Sequence, residues 1–270
     1  MRIGNEKRPS RHRQQTLPRS QGFRKEPSEV SESLFRGRSA IPSEKPAWGL
    51  IRYITWRMNA DLFAPFSELA SKLLPLLSGS DGAHDLSHLT RVWRNVKAIQ
   101  REEGGDLEIL AAAVLLHDCV DVPKNSPLRS QASRLAAAEA IARLSAVGWS
   151  EKRSGWVASA IESHSYSAGV APTTLEGSIL QDADRLDAIG FIGIARCFYT
   201  AGRMGSALYE PFDPRGERRV LNDAAFALDH FPAKLLNLAE GFRTVTGRLL
   251  AAQRHAAVVS FYSGLLAEVG

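Results

Sequence analysis

His117 and Asp118 follow directly on Ile109 to Leu116, an unbroken run of apolar residues. An imidazole beside a carboxylate at that point has two readings. A helix has simply reached solvent, or a rigid helix end presents two ligands to a metal ion. His88 stands four residues after His84 in "AHDLSH", and Asp182, Asp184 and Asp187 interrupt the apolar "ILQDADRLDAIG". Taken singly, each has an ordinary explanation. A helical histidine is satisfied at the rim of a core, Asp85 is a helix N-cap, Asp121 is a turn residue, and an aspartate pairs with Arg185. Taken together, three separate segments set imidazole or carboxylate beside strongly apolar sequence, where an unpaired charge is costly. One divalent cation satisfies all of them, drawing nitrogen and oxygen ligands from several rigid elements and leaving positions for water.

The elements that must hold these residues read as helices from Asp61 onward. "LSHLTRVWRNVKAIQREEGG" places Leu89, Val92, Val96 and Ile99 on one stripe and stops at Gly104-Gly105. Asp106 caps "LEILAAAVLLHD", and "SQASRLAAAEAIARLSAVG" closes on Gly148. Ser150 caps "EKRSGWVASAIESHS", and Thr173 or Thr174 opens one long helix, "LEGSILQDADRLDAIGFIGIARCFYT". A polar loop over residues 202–222 leads into two C-terminal helices. No alternating strand pattern is evident, so the expected fold class is all-α.

Length and composition set the frame. A chain of 270 residues buries one full core without dividing into two equal domains. Hydrophobic residues make up 44% and charged residues 23%, ordinary for a globular protein, and no apolar run approaches the roughly 20 residues of a membrane span. Two cysteines, Cys119 and Cys197, are too few for a disulfide framework and fit a reducing cytosol. The net charge of +5 is confined to one end. Residues 1–50 carry eleven Lys or Arg against five Glu, and five of the 13 prolines, while the rest of the chain is nearly neutral. Such a segment cannot bury enough surface to offset its ordering entropy, so residues 1–57 are expected to be a disordered basic leader and residues 58–270 the folded domain. Met58, where periodicity begins, is an alternative start. Clustered arginines can also tether the chain to nucleic acid, while glutamates among them disfavour a targeting peptide.

The order His88, then His117-Asp118, then Asp184 in "DADRLD" resembles the HD-domain metal-dependent phosphohydrolases. The stretches "AHDLSHLTRVWRNV", "LLHDCVDVPKN", "IESHSYSA", "LQDADRLDAIGFIGIARCF" and "ALDHFPAKLL" together are similar to the bacterial YedJ-like branch. The likeness runs from about residue 60 to the C-terminus. It implies a helical bundle with a metal site between helices, and His88, His117, Asp118 and Asp184 as the ligands. Asp182 competes for the last place; Asp184 is preferred because it precedes the Arg185-Leu186 pair. The family implies Mn, Mg or another divalent ion, and zinc is disfavoured without a thiolate cluster.

The chemistry implied is hydrolysis of a phosphoester or phosphoanhydride by metal-activated water. Asp118 or Asp121 would accept the proton. Lys124, in the proline-bounded loop "DVPKNSPLRS", together with His164 and Arg185, would meet the phosphate, Lys124 also serving catalysis. His164 has two other readings, support of a second metal and a surface helix histidine. The expected substrate is a phosphorylated small molecule, with related small HD proteins pointing to nucleotides. Two alternatives stay open: a nucleotide sensor without turnover, and a nucleic-acid-associated protein using the basic leader.

Overall fold

The computed structural model describes residues 59–76, 86–122 and 126–270, which belong to one compact unit. The expected leader, the Met58 start, His84, the Asp85 cap and Lys124 lie outside the described residues. The described chain is helical, and its extended pairing is a single isolated bridge between Ala207 and Phe226.

α1 (Ser67–Leu73) precedes α2 (Leu86–Glu103), which buries Leu89, Val92, Trp93, Val96 and Ile99 with His88. The predicted stripe is thus the buried face, and α2 ends where Gly104 and Gly105 take positive φ of 83° and 96°. α3 (Leu107–Leu116) starts at Asp106, whose side chain accepts from the backbone N–H groups of Glu108 and Ile109. Every residue from Ile109 to Leu116 is buried. A helix apolar all round belongs in the centre, and α3 is packed by α1, α2, α4 (Ala132–Ala146), α5 (Glu151–His164) and α6 (Leu175–Leu186). Ser150 caps α5, and Thr174, of the two threonines considered, caps α6.

The long helix expected after Thr174 is two helices. α6 stops at Leu186, and α7 (Gly190–Met204) starts after a turn through Asp187, Ala188 and Ile189. Gly190 has φ of 72°, a backbone state that side-chain-bearing residues rarely adopt. Gly193 meets the turn closely: a Cβ there would lie 2.3 Å from the Ala188 carbonyl oxygen. The break sets Asp187 at the end of α6, facing back toward α2.

The first of the two predicted C-terminal helices is also fragmented. It consists of 3-10 turns at Ala227–Asp229 and Leu235–Asn237 around the four-residue α8 (His230–Ala233). The second is α9 (Val245–Val269), capped by Thr244 and packed against α2, α6 and α7. Two apolar clusters result. The larger joins α1 to α6, and the smaller gathers Ile194, Cys197, Leu228, Phe231, Leu235, Val258 and Leu266, with Phe231 stacked on Tyr262 at 5.3 Å.

Candidate metal centre

Three helix ends converge on one point. α2 brings His88 from its first turn, α3 ends on His117 and Asp118, and α6 brings Asp184 from its last turn. His88 Nε2 lies 3.2 Å from His117 Nε2, 3.5 Å from Asp184 Oδ1 and 3.8 Å from Asp118 Oδ2. His117 Nε2 lies 3.4 Å from Asp118 Oδ2 and 3.8 Å from Asp184 Oδ1. Both imidazoles are buried, whereas the side chains of Asp118 and Asp184 are 37% and 28% exposed. The donor set therefore has a closed histidine side and an open carboxylate side.

The ring tautomers give this cluster its chemical meaning. His117 Nδ1 donates to the Val114 carbonyl at 2.8 Å, and His88 Nδ1 donates to Asp187 Oδ2 at 2.8 Å. With Nδ1 protonated in each neutral ring, both Nε2 atoms present lone pairs, 3.2 Å apart and facing two carboxylates. Four electron-rich atoms crowded in this way need a cation among them. A proton is one answer. Burial works against charge on His88, yet the Asp187 hydrogen bond and the Asp184 and Asp118 carboxylates outweigh it and raise its pKa. Burial instead lowers that of His117. A divalent ion is the other answer, and two imidazole nitrogens with two carboxylates form the donor set such an ion takes.

Asp187 holds this geometry from behind. It accepts from His88, from Arg91 Nε and Nη2 at 2.6 and 3.0 Å, and from Arg196 Nη1 at 3.3 Å. Burial works against its ionisation, but the hydrogen bonds from His88 and Arg91 hold its carboxyl below the ordinary range. A ligating histidine whose other nitrogen is held by a carboxylate has its ring orientation fixed and its basicity raised.

The other expected residues fall in different places. His164, the last residue of α5, donates from Nδ1 to the Ile161 carbonyl, and its Nε2 lies 3.8 Å from Asp118 Oδ1. His117, Asp118 and His164 thus form a second donor group beside that of His88, His117 and Asp184. Asp121 is exposed in the following loop and stands outside both groups. Asp182 does not face the cluster. It accepts from the backbone N–H groups of Arg243 and Thr244 and from the Thr244 hydroxyl, which binds α6 to the start of α9. Gly247 makes room for it, since a Cβ there would lie 2.3 Å from Asp182 Oδ2. Arg185 departs from the phosphate-binding role expected of it. Its guanidinium lies over the Tyr166 ring at 3.8 Å and donates to the carbonyls of Leu238, Glu240 and Gly241. With those donors directed to a loop, Arg185 is a structural tie. Cys119 is buried, and burial pushes its thiol up to about 11, in keeping with packing.

Three arginines escaped the sequence reading. Arg91 and Arg196 anchor Asp187, and Arg129 lines a cavity of about 300 Å³ together with His117, Asp118, His164 and Ser165. Arg91 had a signal in its position three residues after His88, which shares the same helix face. Arg196 had none, because its reach to Asp187 depends on the break between α6 and α7.

The HD-domain family model matches residues 85–189, a span that contains every residue of the cluster. Bacillus subtilis YpgQ is 33% identical over 198 residues, which cover 72% of this chain and 88% of that protein. A crystal structure of B. subtilis YpgQ in complex with ADP aligns with a TM-score of 0.56 at 30% identity, covering 77% of this chain and 97% of that one. A Bacillus thuringiensis protein described as an HD-superfamily hydrolase aligns with a TM-score of 0.56 at 27% identity, over 80% of this chain and 97% of its own. With the family's span enclosing His88, His117, Asp118 and Asp184 in order, the chain belongs to the HD-domain family.

Proposed function

We propose that this protein is a divalent-metal-dependent phosphohydrolase acting on a phosphorylated small molecule, a nucleotide in the first instance. The carrying observation is the pair of histidine Nε2 lone pairs 3.2 Å apart, faced by Asp118 and Asp184, at the open edge of a packed core. His88, His117, Asp118 and Asp184 would hold the ion, with Mn or Mg the candidates. Bound there, a divalent cation supplies Lewis acidity toward a phosphoryl oxygen and a lowered pKa for water. Asp118 would also accept a proton, a role supported by its second oxygen, which lies 3.8 Å from His164 Nε2 and away from the His88 ring. His164 and Arg129, which line the adjoining cavity, are the described groups suited to a phosphoryl oxygen, and Lys124 is a further one from the sequence. Nucleotide as the substrate class rests on the YpgQ complex with ADP. Two buried, unpaired cysteines are in keeping with a cytoplasmic location, and among the described residues no helix is long and apolar enough to cross a membrane.

The test is a panel of nucleotides and other phosphate esters assayed with Mn²⁺, with Mg²⁺ and with chelator, beside elemental analysis of Asp118→Ala. Hydrolysis is expected only with metal, and the variant should lose bound metal and orders of magnitude in rate. An Asp118→Ala protein that stays metal-replete and active would remove the reading. Binding of a nucleotide without any turnover would leave a sensor in its place.

A further inference from the structure

The stretch "ALDHFPAKLL" has no part in the metal cluster, yet its His230 and Lys234 line a cavity. α7 and the segment around α8 enclose a space of about 300 Å³. Arg196 and Thr200, one turn apart on α7, contribute one wall. Asp223, His230 and Lys234 contribute the other. Arg196 bonds Asp187 Oδ2, which also accepts from His88 Nδ1, so one side chain separates the cavity's wall from the metal cluster's His88.

The polar groups here are arranged for an anion. Arg196 is tethered through Nη1 to the Asp187 backbone carbonyl and to Asp187 Oδ2, both at 3.3 Å, which leaves Nε and Nη2 of a positioned guanidinium. His230 Nδ1 is 2.9 Å from Asp223 Oδ2, which fixes the ring and leaves Nε2 for a ligand. Lys234 adds an ammonium that no carboxylate among the described residues pairs with. Asp223, already engaged by His230, is the only carboxylate among the cavity's lining residues, and Asp187 behind Arg196 is shared with Arg91, so the positive charge of Lys234 is left over. Fixed donors around a small space, with a surplus of positive charge, match the three-oxygen geometry of a phosphoryl group.

We infer that Arg196, His230 and Lys234 form a phosphate subsite that positions the nucleotide for the metal cluster. The inference rests on the phosphohydrolase reading for its substrate class, and it makes these three residues determinants of affinity. Arg196 also touches Asp187, so its loss would disturb His88, and the test belongs to Lys234 and His230.

The full chain, loaded with Mn²⁺, is titrated with ADP by calorimetry and assayed on the substrate that the panel identifies. Variants Lys234→Ala, Lys234→Arg and His230→Ala are compared, with metal content and melting temperature measured for each. Losing a charge-assisted hydrogen bond should weaken ADP binding and raise KM roughly tenfold in Lys234→Ala. Metal content and melting temperature should hold, and Lys234→Arg should recover most of the loss. A wild-type protein that hydrolyses its substrate, with Lys234→Ala and His230→Ala unchanged in KM and ADP affinity, would overturn the subsite while leaving the hydrolase intact. ADP binding that depends on Lys234 without turnover on any compound would support the subsite and end the hydrolase reading. A wild-type chain that neither binds ADP nor hydrolyses any panel compound would overturn both.

Discussion

At the scale of single residues, the distinction that matters is between groups that face the cluster and groups that hold those groups still. Asp187 is of the second kind, since it reaches His88 at Nδ1 while the cluster lies on Nε2. Asp187→Asn keeps the shape but replaces the negative acceptor with a neutral amide, so the His88 ring loses basicity and certainty of tautomer. Metal affinity should fall about 10- to 100-fold, as for other carboxylates behind a ligating histidine. Residual hydrolysis should return at saturating Mn²⁺, which separates Asp187 from Asp118 and Asp184. Measuring rate against metal concentration decides it, and an unchanged metal dependence would refute the role. The four ligand candidates were legible in the sequence because their order and their apolar surroundings are both written there. Arg185 was misread for a physical reason. Sequence shows that a charge stands beside the ligand candidates, but not that three carbonyls of residues 238–241 wait for it across the fold.

Among the elements, what was legible followed from local chemistry. Asp106, Ser150 and Thr174 each cap the helix they precede, and the α2 stripe is buried as its period requires. The break between α6 and α7 had a signal in Gly190 and Gly193 of "LDAIGFIGIA", since glycine is a poor helix former and a common stop, but the apolar residues run on through it. Gly190 takes a positive φ at the start of α7, and Gly193 lets α7 approach the Ala188 carbonyl. The segment 219–238 keeps the apolar spacing of Leu228, Phe231 and Leu235 in the smaller cluster, but folds as short turns tied by ion pairs that the spacing does not show. Its fixed point is Asp229, which accepts from Arg219 Nη1 and Nη2 at 2.5 and 2.7 Å and from the Asn222 backbone N–H at 2.6 Å. The Arg219 hydrogen bond, chief among its neighbours' effects, holds the Asp229 carboxyl below its ordinary pKa. An unfolded chain therefore takes up this proton first as pH falls. The stabilisation is complete above the unfolded value of about 4 and is lost as pH drops through the lower folded value. Asp229→Asn should melt at a lower temperature than wild type at pH 7, with the gap narrowing below pH 4. Melting curves from pH 3 to 7 check this, and a gap independent of pH would refute it.

For the whole molecule, the helix ends are tied down by the protein itself. His117 and His164 each direct Nδ1 to a carbonyl three residues back, so each caps its own helix while presenting Nε2 outward. His88 is held by Asp187, and Asp187 in turn by Arg91. Each of the bonds to these rings joins protein atoms on the side of the ring away from the cluster. On the metallohydrolase reading, folding is then expected to precede metal binding, unlike the small domains in which the ion is the core and chelation unfolds the chain. Chelation should abolish hydrolysis and leave the far-ultraviolet circular dichroism unchanged, and added Mn²⁺ should restore activity without a refolding lag. Loss of helix on chelation would show that the ion builds the site. If the ends stand ready as their hydrogen bonds indicate, the newly made chain is a finished vessel before it meets its ion. The identity of the metal is then decided by which cation the cell supplies, after folding is over.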